Sequence, residues 1–158
     1  HPDHETLRLQ FLDHYAALVG QYSQPYPGMH ALVKHLGKQS VPWGVATNKA
    51  RRFAEPLMTA MGFSPAAGSI VTPCDVTNPK PHPESIALAC QQLSADPAKS
   101  IYVGDHRRDI DAGRAAGCFT IAAAYGYIDT GDCPSQWGAD AIATTALDLT
   151  TMIMRMTP

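Results

Sequence analysis

Ser100-Ile101-Tyr102-Val103-Gly104-Asp105-His106-Arg107-Arg108-Asp109 is the stretch that decides the fold of this chain. The β-branched and aromatic run Ile101-Tyr102-Val103 reads as a buried strand. Gly104 ends it and a helix follows, so two carboxylates, Asp105 and Asp109, arrive one helical turn apart at the strand's carboxyl end. Ligands of open parallel α/β sheets collect at that edge. Two readings stay open on these residues alone. Asp105 can cap the helix, with Asp109 favoured by the helix dipole. Alternatively the two acids, which repel unless a cation lies beside them, can form a Mg²⁺ site.

Outward from this corner, short apolar runs alternate with longer amphipathic ones. Residues 41–47, 69–72, 100–104, 119–123 and 141–143 read as buried strands, and residues 29–37, 51–61, 83–93, 109–116 and 146–154 as helices. Such alternation implies right-handed βαβ units and a parallel sheet covered on both faces, a three-layer, doubly wound α/β architecture. Pro83 falls near a helix start, where it is tolerated, whereas Pro56 is placed to kink its helix. Leu7, Phe11, Tyr15 and Leu18 recur at helical spacing, which predicts an amphipathic helix over residues 5–19 ending near Gly20. Pro25-Tyr26-Pro27-Gly28 is a stiff turn between that helix and the rest.

At 158 residues and 45% hydrophobic, the chain has the size and composition of one domain with a real core. Its 12 basic and 14 acidic side chains leave a formal charge of −2, no electrostatic footprint for nucleic acid or an anionic membrane. Any phosphate recognition must therefore be local. Cys74, Cys90, Cys118 and Cys133 contain no Cys-x-x-Cys pair and suggest neither a zinc ribbon nor a disulfide framework. With no apolar stretch near the ~20 residues of a membrane helix and no signal-peptide pattern, the expectation is a cytoplasmic protein with reduced thiols. The start, His1-Pro2-Asp3-His4, has no methionine and leads straight into a helical pattern, which reads as a chain beginning inside a larger protein.

Two further groups sit at strand ends. Ala46-Thr47-Asn48-Lys49 closes the first core strand and passes directly towards a helix, so a hydroxyl and free backbone N–H groups make an anion cradle. The competing reading makes Thr47 a plain helix cap. In Asn78-Pro79-Lys80-Pro81-His82-Pro83-Glu84, three prolines restrict the backbone around Lys80. A lysine locked in this way just before a helix is better explained as a positioned charge than as a solvated one. His82 reads as a capping or surface residue, and Arg107 and Arg108 receive no role. Trp43 and the Tyr125-Gly126-Tyr127 turn are assigned to packing, although that turn follows a strand end and can border the site.

Thr47, then Lys80, then Asp105 with Asp109, each at or just after a strand end, resembles the second, third and fourth motifs of the haloacid dehalogenase-like phosphatases. The resemblance covers nearly all of the chain. It is nearest the phosphoglycolate phosphatase group, and within it the N-acetylmuramic acid 6-phosphate phosphatases, through Trp43-Gly44-Val45-Ala46-Thr47-Asn48-Lys49, Arg52-Phe53-Ala54-Glu55-Pro56, Gly104-Asp105-His106-Arg107-Arg108-Asp109-Ile110, Tyr125-Gly126-Tyr127-Ile128 and Trp137-Gly138-Ala139-Asp140. It implies a Mg²⁺-dependent hydrolase of a small phosphorylated metabolite, working through a phospho-aspartate. Thr47 and the backbone at Asn48 would hold phosphoryl oxygens, and Lys80 would neutralise phosphate and nucleophile. Asp105 would bind the metal, and Asp109 would support the metal site or Lys80. Residues 1–24 would be the remnant of a helical cap with its hinge, and residues 25–158 the α/β core.

The sequence departs from that family in one large respect. No strand-borne Asp-x-Asp-Gly-Thr, the motif that supplies the nucleophile, is present; Asp109-Ile110-Asp111 lies on a predicted helix and cannot replace it. In the family that strand lies between the strand ending at Thr47 and the strand ending at Asp105. The expectation is therefore a sheet lacking its first central strand, and a chain that is truncated and catalytically inactive alone. Its two inner edges would pair with each other, with another chain or with a swapped element, as in a strand-swapped or edge-paired homo-oligomer. A non-catalytic phosphate-binding or interaction module is the alternative. His106 is a smaller departure and bears on whatever surrounds the metal acids.

Overall fold

In the computed structural model, which describes residues 2–157, six α-helices and five short parallel strands alternate along the chain. Helix α1 spans Pro2–Leu18 and α2 Met29–Lys38; β1 is Gly44–Ala46, α3 Arg51–Met61 and β2 Ser69–Val71. Then come α4 (Glu84–Gln92), β3 (Ile101–Gly104), α5 (Arg107–Ala115), β4 (Phe119–Ala123), β5 (Ala141–Ala143) and α6 (Ala146–Met156). The expected α/β architecture holds.

The strands form two separate parallel ladders. One joins β1 to β2, with Val45 opposite Ile70; the other runs β3-β4-β5, with Val103 opposite Ile121 and Ala122 opposite Ile142. No backbone pairing bridges β1 and β3 among the described residues. The expected interruption thus falls between the strand ending before Thr47 and the strand ending before Asp105.

Side-chain alternation along the strands builds two apolar layers. Ile101, Val103 and Ile121 face Leu32 and Leu36 of α2 and Leu149 and Ile153 of α6. On the other side Tyr102 and Ala46 meet Ile86 and Cys90 of α4 and Ala112 of α5. Ile110 packs with Ala122 and Trp137 in a third cluster. Ile110 and Ile121 have no exposed surface, and burying each such side chain contributes about 2 kcal/mol.

Several expected boundaries move. The strand foreseen over 41–47 contracts to Gly44–Ala46 because Pro42 has no N–H to give to a ladder. Pro56 lies inside α3, which nonetheless runs unbroken from Arg51 to Met61. The apolar stripe of α1 does not face a core here: Leu7 is 63%, Phe11 69% and Leu18 51% exposed. Only Tyr15 of the four is packed, edge-on against Phe53 of α3 at 4.9 Å. Its hydroxyl accepts from Lys49 Nζ at 2.6 Å, so α1 reaches the rest of the molecule chiefly through the segment that follows β1.

Candidate active site

The carboxyl ends of β1 and β3 are brought together by side chains, with Tyr102 OH donating to Ala46 O at 3.2 Å and Lys80 Nζ reaching both Ala46 O and Asp109, and the loops leaving these strands carry the chemistry. Thr47 leaves β1 with its N–H donating to Val71 O (2.9 Å) and its Oγ1 accepting from Lys49 N (3.0 Å). Asn48, Lys49 and Ala50 then intervene before α3, whose N-cap is Ala50. The expected direct passage into a helix is therefore corrected: Thr47 lies on a tight turn three residues earlier and is not the cap. A hydroxyl that spends its acceptor on Lys49 N keeps its own proton to donate.

Lys80 is the centre of the arrangement. Its Nζ lies 2.8 Å from Asp109 Oδ1 and donates to Ala46 O at 2.8 Å and to Tyr102 OH at 3.0 Å, so three donors meet three acceptors. The two charged side chains are only 8% and 9% exposed. Burial pulls the ammonium downward, but Tyr102 and Asp109 outweigh it and hold Lys80 above its ordinary value. The Tyr102 phenol is pushed up by its own burial. Lys80 is thus charged throughout the neutral range and cannot serve as a base.

The loop that delivers Lys80 is held by polar contacts as well as by prolines. Asn48 Nδ2 donates to Lys80 O (3.1 Å) while its Oδ1 accepts from Lys80 N (3.2 Å), a two-point clamp between the two loops. Glu84, at the start of α4, accepts from Thr77 N (2.8 Å) and from Asn78 N and Nδ2 (both 3.0 Å), and those bonds hold its carboxyl below the usual range. His82 is exposed and its Nδ1 accepts from Glu84 N at 3.3 Å, one residue before the α4 cap at Pro83.

The corner after β3 separates the two acids by function. His106, not Asp105, caps α5: its Nδ1 accepts from Arg108 N at 3.1 Å, and its ring stacks on Trp137 at 6.5 Å. Asp105 is left exposed, and no hydrogen bond to its carboxylate is made among the described residues. Capping therefore does not account for Asp105. Asp109 is buried at the first turn of α5, paired with Lys80.

Two glycines make room for these carboxylates. A Cβ on Gly104 would fall 2.1 Å from Asp109 Cβ, and one on Gly126 would fall 2.3 Å from Asp105 Cβ and 2.6 Å from its Oδ2. Gly126, in the turn after β4, is thus a wall of the Asp105 site. Tyr125 beside it meets Tyr26 edge-on at 5.0 Å, and Tyr127 is 91% exposed.

The donor set can be weighed against a metal. Among the described residues no three His, Cys, Asp or Glu side chains converge as a cage. Mg²⁺ needs less: one or two carboxylates, with water and phosphate oxygens completing its octahedron. An exposed, uncommitted Asp105 carboxylate at a strand end fits that demand and fits neither a zinc nor a calcium cage.

Sequence reasoning placed Thr47, Lys80, Asp105 and Asp109 together, and the fold brings them to one edge. It did not find the Asn48 side-chain clamp, the Tyr102 hydroxyl or the Gly126 wall. A tyrosine in the middle of the otherwise aliphatic strand Ile101-Tyr102-Val103 was the available signal, since a buried phenol needs a partner.

A layered α/β domain that gathers a threonine, a buried lysine and two aspartates at one strand edge is the arrangement of the haloacid dehalogenase-like hydrolases. The chain belongs to that family, whose sequence profile matches residues 2–123. Several of its curated relatives are named phosphatases. It is similar to the N-acetylmuramic acid 6-phosphate phosphatase of Pseudomonas aeruginosa, 43% identical over 154 residues that make up 98% of this chain and 68% of that protein. A phosphoglycolate phosphatase of Xylella fastidiosa is 32% identical over 133 residues, 84% of this chain and 58% of that protein. The fold matches a crystal structure described as a predicted phosphoglycolate phosphatase from Haemophilus somnus, with a TM-score of 0.82 at 26% identity, over 91% of this chain and 64% of the other. The chain thus spans between 58% and 68% of the lengths of these relatives.

Proposed function

We propose that this chain carries the phosphate-binding and charge-neutralising half of a Mg²⁺-dependent phosphomonoesterase acting on a small phosphorylated metabolite, a sugar phosphate such as N-acetylmuramic acid 6-phosphate or phosphoglycolate. The observation that carries this reading is the buried Lys80–Asp109 pair, clamped through Asn48 to the turn that bears Thr47. Phosphoryl transfer asks a protein mainly for positioning and charge neutralisation, and these residues supply both. Thr47 Oγ1 and the N–H groups of its turn bind phosphoryl oxygens. Lys80 neutralises the anion that gathers beside β1, while Asp109 keeps its ammonium aimed and charged. Asp105 holds Mg²⁺, which when bound stabilises charge on the phosphoryl oxygens.

The attacking carboxylate that the resemblance implies has no counterpart among Thr47, Lys80, Asp105 and Asp109, and the chain is inactive alone on this reading. Residues 1–24 serve as part of a cap, and a cytoplasmic setting suits the four free thiols. No helix of the described residues is long and apolar enough to cross a membrane.

The test compares this chain with a longer version carrying an upstream Asp-x-Asp-Gly-Thr strand, on p-nitrophenyl phosphate, N-acetylmuramic acid 6-phosphate and phosphoglycolate, with and without Mg²⁺. Mg²⁺-dependent turnover by the longer version only is the expected result. Equal activity from both refutes the placement of the nucleophile, and phosphate binding without turnover by either favours a non-catalytic phosphate-binding module.

A further inference from the structure

We propose that Cys90 and Cys118 form a redox-sensitive dithiol, which hydrogen peroxide closes to a disulfide that staples α4 to the start of β4. The inference stands on packing and is independent of the phosphatase reading.

Both thiols are buried, and both belong to the apolar cluster that Ile86 of α4 and Ala112 of α5 complete. Cys90 lies in the last turn of α4, and Cys118 immediately precedes β4, its N–H donating to Gly113 O at 3.0 Å. The register of the parallel ladder locates one against the other. Ile101 pairs with Phe119 and Tyr102 with Thr120, so one step back Ser100 lies beside Cys118, and Phe119 N donates to Ser100 O at 3.0 Å. Paired residues of neighbouring strands stand about 4.8 Å apart and turn their side chains to the same face. On that face Cys90 Sγ donates to Ser100 Oγ at 3.9 Å and is in hydrogen-bond contact with the Cys118 thiol.

A single buried cysteine is a small apolar side chain. Two in contact place a pair of weak donors among apolar neighbours, whereas a disulfide has no S–H to satisfy, so the same surroundings suit the oxidised form. Nothing in the proposed phosphate chemistry uses either sulfur. The other two thiols differ: Cys74 is exposed, Cys133 is half-buried, and neither belongs to this cluster.

Burial, with the Cys90 sulfur beside it, pushes the Cys118 thiol up to about 12, so Cys118 keeps its proton in the neutral range and Cys90 takes the oxidant's oxygen. Hydrogen peroxide transfers one oxygen to the Cys90 sulfur, giving a sulfenic acid and one water. The Cys118 sulfur then attacks that sulfur, the S–O bond breaks, and the hydroxyl leaves with the Cys118 proton as a second water. The two thiols lose two electrons, which the peroxide gains. Closing the sulfurs to a bond of about 2.05 Å draws α4 towards β4. Because α4 packs on β1 and β2, the staple joins the two ladders covalently, through the helix whose Glu84 anchors the Lys80 loop.

The experiment treats the folded chain carrying Cys74→Ser and Cys133→Ser with hydrogen peroxide, blocks remaining thiols with iodoacetamide in urea, and maps the peptides by mass spectrometry. A loss of two hydrogens, a linked Cys90–Cys118 peptide that dithiothreitol separates, and about tenfold slower hydrogen exchange across α4 are the expected results. Adding Cys118→Ser should leave a Cys90 sulfenic acid that dimedone captures. Both thiols still alkylated after peroxide, links only between separate molecules, or a linked chain with unchanged α4 exchange each overturn the proposal. If the double serine variant does not fold, the same mapping on the parent chain decides, since each cysteine peptide is identified individually. None of these readouts involves turnover, so failure here and failure of the phosphatase assay are separable.

Discussion

Lys80 Nζ and Asp109 Oδ1 lie 2.8 Å apart in a pocket that leaves both side chains less than a tenth exposed, and they come from different halves of the interrupted sheet. Lys80 follows β2 and Asp109 follows β3. With no backbone pairing between β1 and β3, this ion pair and the Tyr102 hydroxyl, which accepts from Lys80 Nζ at 3.0 Å and donates to Ala46 O at 3.2 Å, are polar ties that cross the gap at the site.

Removing one member of that pair strands a buried charge. Lys80→Met or Asp109→Asn should each destabilise the chain by about 3–5 kcal/mol, while the double variant Lys80→Met with Asp109→Leu should cost less than their sum. Urea unfolding of the four proteins measures this; single-variant losses below about 1 kcal/mol would show that the pair is solvated rather than buried.

Asn48→Ala should release the Lys80 loop. Two hydrogen bonds are lost, at about 1 kcal/mol each before solvent compensation. The sharper readout is the Lys80 amide, which donates to Asn48 Oδ1. Its hydrogen exchange should accelerate in Asn48→Ala and stay slow in Asn48→Asp, which keeps the acceptor.

The helix cap at His106 and the exposed carboxylate of Asp105 are separable. His106→Ala removes the α5 cap and the Trp137 stack and should cost about 1–2 kcal/mol. Asp105→Ala should stay within about 0.5 kcal/mol of the parent, because its carboxylate caps nothing. Thermal melts that reverse this order would restore the capping reading of Asp105.

Gly126→Ala should act on Asp105 through space. A Cβ there overlaps the carboxylate, which must shift, so Mg²⁺ affinity by calorimetry should fall about tenfold, and Asp105→Asn should abolish it. Unchanged affinity in Gly126→Ala would mean the turn yields instead of the aspartate.

Stability should fall at both ends of the pH scale. Lys80 titrates above its ordinary value of 10.5 and Tyr102 above 10.0, so both keep protons in the folded state that the unfolded chain loses. Their contribution is complete below pH 10 and drains away as pH rises, and Lys80→Met should flatten that alkaline limb. Asp140, held low by its bonds from Thr120 N (2.7 Å) and Oγ1 (2.8 Å), behaves oppositely. Its share is present above its ordinary 3.8 and lost as pH falls, and Asp140→Asn should flatten the acid limb. Urea midpoints across pH check both.

Local pattern carried the core elements well. Arg51–Met61, Phe119–Ala123 and Ala141–Ala143 form where their periodicity places them, because helix and strand each impose a repeat that the buried side must follow. The same reasoning failed for α1: its stripe of Leu7, Phe11 and Leu18 has the spacing of a buried face, yet burial depends on a partner surface that spacing cannot supply. It failed again at Thr47, where the turn that intervenes before α3 is set by the bond from Lys49 N and by Ala50 as cap.

By itself the sequence determined the order of elements, the family and the identity of Thr47, Lys80, Asp105 and Asp109 as the groups at strand ends, since motif order and hydrophobic period are properties of the chain read along its length. Only the tertiary structure decided how those groups share the work. Whether Asp105 or His106 caps α5, whether Asp109 serves Lys80 or stands beside Asp105, and where the Asn48 amide reaches are settled by distances between segments up to 34 residues apart. Such contacts exist only once the ladders bring strand ends together, and a charge as deeply buried as Lys80 then takes the partner whose geometry offsets its desolvation.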